Sequence, residues 1–321
     1  MRDDLRMNSR VHPNYKTRYH VGNWSSYDRA LVQRGDITMW ISEDAIDAWT
    51  PRPSRKRGGQ RRYSDTAIET ALTLRTAFKL PLRQAEGFLR SILGLMDIDL
   101  EAPDHTTLSR RSQHLDVRLR RPATSSKPMH LMVDSTGLAI VGEGEWAAAK
   151  HGRKGKRGWK KLHFGVDRAG VIAAQVLTDS NVDDANSGVD LMGQVDGKLA
   201  RFTGDAAYDT AAIYSAALER GAKVVVPPTR KAVVSGRGRG QTAWDRTIRK
   251  MKKLGRREWK KVSGYHRQGI VENVFFRYKS LIGDRLRACH PKAQRAEAVL
   301  ACNVLNRMLE LGRPRSKAIR T

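Results

Sequence analysis

The chain has 321 residues, with 60 lysines and arginines against 33 aspartates and glutamates and a net charge of +27. Such a length supports a sizeable core in one large or two smaller domains. It excludes a scaffold stapled by disulfides or zinc, because the two cysteines, Cys289 and Cys302, share no zinc spacing with each other or with the histidines.

The charge predicts a polyanionic partner, nucleic acid first, since each phosphate neutralised by a cation releases a condensed counterion. No apolar run reaches the roughly 18 residues a membrane-spanning helix needs. The charged start Arg2-Asp-Asp-Leu-Arg-Met7 is unlike a secretory leader, so a cytoplasmic, nucleoid-associated protein is expected.

Residues 1–60 are rich in aromatic, polar and basic side chains. They lead into Pro51-Arg-Pro-Ser-Arg-Lys-Arg-Gly-Gly-Gln-Arg-Arg62, six cations without an acid, which reads as an arm and basic linker. Residues 61–120 then carry helical periodicity. Ser64 caps a run to Phe78, Pro81 can open a second helix ending near Gly94, and Asp104 or Thr106 starts a third through Leu115. Short helices with Thr106, Thr107, Ser109, Arg110, Arg111 and Gln113 on the last suggest a helix-turn-helix-like DNA-binding region.

After the joint Arg118 to Pro128 the period changes. Met129 to Asp134 is a short apolar run closed by an acid and Gly137, which places Asp134 at the end of a buried strand. Lys161–Asp167 and Gly170–Thr178 form a predicted hairpin. A helix from Asp183 follows, then a strand ending at Asp205, a helix from Thr210 to Arg220 and a strand Lys223–Pro228 stopped by prolines. Tyr265 to Lys279 closes the series as a helix on which Gln268, Glu272 and Lys279 lie within about 40° of one another. The order predicts an α/β catalytic domain with a mixed sheet over 128–285, then a C-terminal helix, Ala296–Leu311, and basic tail over 286–321. That helix should pack on the core.

Two basic stretches interrupt this domain. Lys150 to Lys161 holds seven cations and no acid, with Lys154, Lys156, Arg157, Trp159, Lys160 and Lys161 as candidate DNA contacts. Arg246 to Lys261 holds nine cations against Glu258 and includes Trp259. Cations interleaved with tryptophan suit phosphate neutralisation plus stacking on an unpaired base.

Asp134 and Asp205 at strand ends and Glu272 on a late helix are the candidate catalytic and metal-binding residues. Clustered carboxylates repel unless hard cations sit between them, and two such ions can activate a nucleophile and stabilise a leaving oxygen in phosphoryl displacement.

The segments Val133-Asp134-Ser-Thr-Gly137, Gly204-Asp205-Ala-Ala-Tyr-Asp209 and Tyr265 to Lys279 resemble, in order, the three motifs of DDE transposases of bacterial insertion sequences, specifically the IS-five family. Its last motif is written Tyr, two residues, Arg, three residues, Glu, six residues, Lys. Tyr265, Glu272 and Lys279 fit that spacing; Gln268 stands where the pattern has arginine, with Arg267 just before it. Trp159 to His163 and Arg201 to Asp205 are also similar to the family.

The resemblance implies an RNase H-like catalytic domain that nicks element ends with Mg2+, two ions with Mn2+ as a substitute, and joins the freed 3′-hydroxyl to target DNA. Asp134, Asp205 and Glu272 would be metal ligands, while Tyr265, Arg267 and Lys279 would contact DNA. Double-stranded DNA and a homodimer or larger assembly are the implied partners. A DNA-binding relative without activity and a nuclease without strand transfer stay open as alternatives.

Overall fold

The computed structural model describes residues 18–53, 58–122, 128–141, 158–234 and 242–319. Two cores are joined by one long helix. The first is helical: α1 (Trp24–Gln33), α2 (Glu43–Asp47), α3 (Asp65–Ala77), α4 (Leu82–Leu95) and α5 (His105–Ser112) precede any long strand. Capping sets their starts as the sequence predicts. Ser64 Oγ accepts from Ala67 N–H at 3.0 Å, and Asp104 accepts from Thr106 and Thr107 N–H. Trp40 and Trp49 of the expected N-terminal arm are buried in this core, and Trp49 Nε1 donates to Glu101 O.

The second core surrounds a mixed sheet. Strand β1 (Arg18–Val21) lies apart from it, paired antiparallel with β8 (Ser316–Ile319). The main sheet is built from β2 (Met129–Ile140), β3 (Trp159–Val166), β4 (Ile172–Asp179), β5 (Leu199–Thr203) and β6 (Lys223–Val225) in the order β4-β3-β2-β5-β6. The first three are antiparallel neighbours, while β5 and β6 run parallel to β2. This is a mixed α/β architecture of RNase H-like type behind an N-terminal helical region, as the element order predicts.

Alternation along β2 assigns its two faces. Leu131 and Val133 join the core formed with α6 (Asp184–Gly193) and α7 (Ala211–Glu219). Met132 and Leu138 join the opposite core, with α9 (Gly269–Leu281) and α10 (Pro291–Leu311). Between β6 and α9 lies the basic α8 (Ala243–Ser263). Helix α10 joins the two halves: Leu300, Val304 and Met308 face the helical core, and Ala298, Ala301, Cys302 and Leu305 face the sheet core. The core packing expected of this helix is thus observed.

Several local expectations change. Asp134 is not at a strand end: β2 runs on to Ile140 because β3 continues to pair with it as far as Ala139 opposite Trp159, and β7 (Arg285–Leu286) covers its other edge. Gly137 reads as a breaker locally, yet it lies within the strand, beside the Trp159 ring. The last-motif helix is also shorter than predicted, since Tyr265–Gln268 form a 3-10 turn and α9 begins at Gly269. The α4 to α5 connection spans residues 96–104, longer than the three or four residues of a helix-turn-helix turn.

Candidate active site

The parallel register of β2 and β5 builds the first part of the site. Met132 pairs with Thr203 in the last β5 pair, and Asp134 and Asp205 each follow two residues later, where the strands part. Both therefore emerge at one point. Gly204 lets this happen, because a Cβ there would meet the Tyr208 ring at 2.8 Å and Val133 Cγ2 at 3.1 Å. Asp205 then turns the chain: its carboxylate accepts from Ala207 N–H and caps the 3-10 turn Ala206–Tyr208.

Asp134 shares the β2 face of Met132 and Leu138, on which α9 lies. Phe275 of α9 stacks on Phe164 of β3, with ring centroids 4.6 Å apart and planes 8° from parallel, and Tyr278 meets the same ring edge-on. Those buried aromatics leave Glu272 and Lys279 exposed on the flank of the helix beside the packed face.

Electrostatics report which groups share the site. Burial pushes the Asp134 carboxyl up to about 6; the Ser135 N–H bond opposes this, and the negative charges of Asp205, Glu272 and Asp184 add to it. Burial also raises Asp205, with Asp184 contributing. Tyr265 is raised by desolvation and then by Asp205, Asp134 and Glu272, so its hydroxyl keeps its proton beside three acids. Among the described residues no three His, Cys, Asp or Glu side chains stand close enough to hold a metal ion. The carboxylates share a field without forming a finished ligand cage.

Residues 125–307, more than half the chain, match the family model described as Transposase DDE domain, and residues 32–143 match a second model with the same description. The chain belongs to the DDE transposase family. Among solved structures, the chain is similar to the cryo-EM structure of the piggyBac transposase synaptic complex with hairpin DNA, at 11% identity over 87% of this chain and 76% of that chain, with a TM-score of 0.38.

Beside Glu272 of this DDE domain lies an open cleft of about 650 Å3 lined by Lys260, Lys261, Tyr265, His266, Gln268, Gly269 and Glu272. Lys260 Nζ sits 5.0 Å from the centre of the Tyr265 ring. Arg267 is half-buried and near His130, whose protonation it opposes. Lys154, Lys156 and Arg157 lie outside the described residues. Of the remaining basic-loop residues, Trp159 is exposed, while Lys160 pairs with Asp179 and Lys161 with Asp184.

Two expected contacts with nucleic acid meet other partners. Trp259 is 2% exposed and packs by Tyr265, so it is not presented for base stacking. The kink at Gly255, whose φ of 76° favours glycine, divides α8 and precedes the segment bearing this buried side. Arg111 donates to Tyr63 O and pairs with Asp65, whereas Arg110 stays exposed on α5.

Sequence reasoning also missed Asp184. Its carboxylate accepts from Ser135 Oγ at 3.0 Å and pairs with Lys161 at 2.9 Å, adding a fourth acid to the neighbourhood of Asp134. No motif marks it; it is adjacent only because α6 folds back across β2 and β3. The second-motif Asp209 has a different setting, accepting from Thr229 N–H and Trp244 Nε1 and so tying α8 to the sheet.

Proposed function

We propose that this protein is an active transposase of the IS-five group that binds the ends of an insertion sequence, cleaves phosphodiester bonds and transfers the 3′-hydroxyl ends to target DNA. The observation that carries the reading is the emergence of Asp134 and Asp205 at the parting of β2 and β5, on the sheet face where α9 presents Glu272.

Three carboxylates offer hard oxygen donors, and their mutual repulsion is relieved by divalent cations, so the donor set fits Mg2+ or Mn2+. Asp134, Asp205 and Glu272 would hold the ions, which supply nucleophile activation and stabilisation of the leaving oxygen. Tyr265 keeps a phenolic proton to donate to a phosphate or sugar oxygen. Lys279, Arg267 and the exposed cations of α8 hold the backbone of double-stranded DNA by charge, and Arg110 and Trp159 extend that surface. Two element ends worked together call for a homodimer or larger assembly.

Supercoiled plasmid carrying the cognate ends, incubated with Mg2+, tests the reading. Wild-type protein is expected to nick it and to join a labelled 3′-end to a second DNA. The Asp134→Asn, Asp205→Asn and Glu272→Gln variants should bind DNA without doing either. Hydrolysis products without joining would sink strand transfer, and equal inactivity of wild type and variants with binding intact would leave only a DNA-binding protein.

A further inference from the structure

Gln268 is the position at which this sequence departs from the last transposase motif, and its side chain has an unusual setting. It is 5% exposed, although it lines the same cleft as Glu272. Its Nε2 donates to the main-chain oxygen of Val133 at 2.7 Å, across 135 residues of chain. The carbonyl fixes the amide orientation, since only the NH2 side can donate to it. Oε1 is then left buried with no hydrogen-bond partner. An unpaired buried acceptor costs about 1–3 kcal/mol, so solvation does not account for this residue.

The bond joins two points next to the candidate ligands. Val133 immediately precedes Asp134 on β2, and Glu272 follows Gln268 by one helical turn. Farther along α9 the helix meets the sheet through aromatic stacking of Phe275 and Tyr278 on Phe164. Aromatic contacts tolerate some sliding, since offset-stacked and edge-to-face arrangements are both favourable over centroid separations of about 4.5–7 Å. A 2.7 Å hydrogen bond to one carbonyl does not, as its strength falls steeply with distance and angle. The polar contact therefore sets the depth and register of the N-terminal end of α9 on β2.

We propose that Gln268 is a positioning residue that sets the separation of Glu272 from Asp134, and thereby the affinity of the carboxylate site for a divalent cation. The inference rests on the three-carboxylate reading above and adds to it the device that holds the third carboxylate in place. Arginine at this position would also offer donors to the Val133 oxygen, so the device does not require an amide in particular.

Mn2+ binding to the full-length protein, followed by titration calorimetry, tests this without relying on turnover. Gln268→Met keeps the volume and removes the donor, and is expected to weaken Mn2+ binding about tenfold or more, the size of effect seen when support around metal ligands is lost. Gln268→Arg should retain the wild-type affinity by restoring a donor. A folded Gln268→Met protein that binds Mn2+ like wild type overturns the proposal, even if its thermal stability falls, because stability alone would move with any buried contact. Should Gln268→Met not fold, Gln268→Asn decides in the same way, its amide ending one methylene short of Val133. Asp134→Asn provides the control: if it leaves Mn2+ affinity unchanged, the three-carboxylate reading fails and this inference falls with it. If it abolishes binding while Gln268→Met does not, only the positioning role is lost.

Discussion

At the parting of β2 and β5, acids on and just beyond rigid strands have their carboxyl pKa values raised by burial and by neighbouring acids, whereas along α8 cations stand in solvent on a helix broken at Gly255. Asp134 is half-buried, while Lys252, Lys253, Arg256 and Arg257 are all exposed. The same elementary charge therefore has different consequences. A desolvated carboxylate beside like charges is strongly coupled to its surroundings, whereas an exposed cation is screened within about 8–10 Å at ordinary ionic strength. One region concentrates its effect in single residues; the other spreads it over many.

The sharpest break in that contrast is at Asp134. Asp134→Asn should reduce cleavage to background and, in metal-free protein, raise the unfolding free energy by up to about 3 kcal/mol, because a buried charge among acids is removed. A nicking assay and urea unfolding of the same preparation check both. An unchanged or lower stability would show that the carboxylate is better solvated than its surroundings imply.

His130 extends the buried-charge behaviour along the same strand. It is 3% exposed and its imidazole is lowered to about 4, chiefly by desolvation, then by Arg168, Arg201 and Arg267. Arg168 Nε donates to Nδ1, so Nε2 carries the proton and donates to Thr203 Oγ1 at 2.8 Å. The unfolded chain binds a proton near pH 6.5, before the folded chain does. Stability from this group is therefore complete above about pH 6.5 and is lost as pH falls toward 4, by about 3 kcal/mol in all. The difference in urea midpoint between wild type and His130→Gln should shrink across that window; a constant difference would remove His130 as the cause.

Gly204→Ala tests the close approach that brings Asp205 to Asp134. The added methyl meets the Tyr208 ring and Val133, and should cost about 1–3 kcal/mol together with a marked loss of cleavage. Wild-type stability and cleavage would mean that the ring yields without moving the acid.

The smallest expected effects belong to α8. Replacing Lys252 alone by glutamine should leave cleavage of bound DNA unchanged and make the slope of log affinity against log salt shallower by about 0.9. Binding measured at several salt concentrations checks it. A large loss from this one change would mean that the helix acts through a defined contact and not through summed charge.

Much of the fold is legible because local chemistry repeats at the right period. Ser64 and Asp104 announce helix starts, short apolar runs bounded by turn residues and acids announce β2 to β5, and the runs flanking Asp134, Asp205 and Glu272 announce the three motif segments. The site is less legible. Gly137 reads as a stop until β3 and β7 pair past it, and Trp259 reads as a stacking residue until α8 folds its side inward. Arg111 looks like a DNA contact until Asp65 and the Tyr63 carbonyl, 46 and 48 residues away, receive its guanidinium.

Sequence by itself determined the acids, their order, the excess of cations and the period of each element, because these depend on residues near one another in the chain. Tertiary structure alone decided that Asp184 and Lys161 meet beside Ser135, and that Gln268 turns inward to Val133 across 135 residues. Those contacts depend on sheet register and on how α6 and α9 cross the two faces of β2, and such crossings are fixed by packing of side chains remote in sequence. The helix that carries Glu272 could be read from its own residues. Its depth against the strand that carries Asp134 could not.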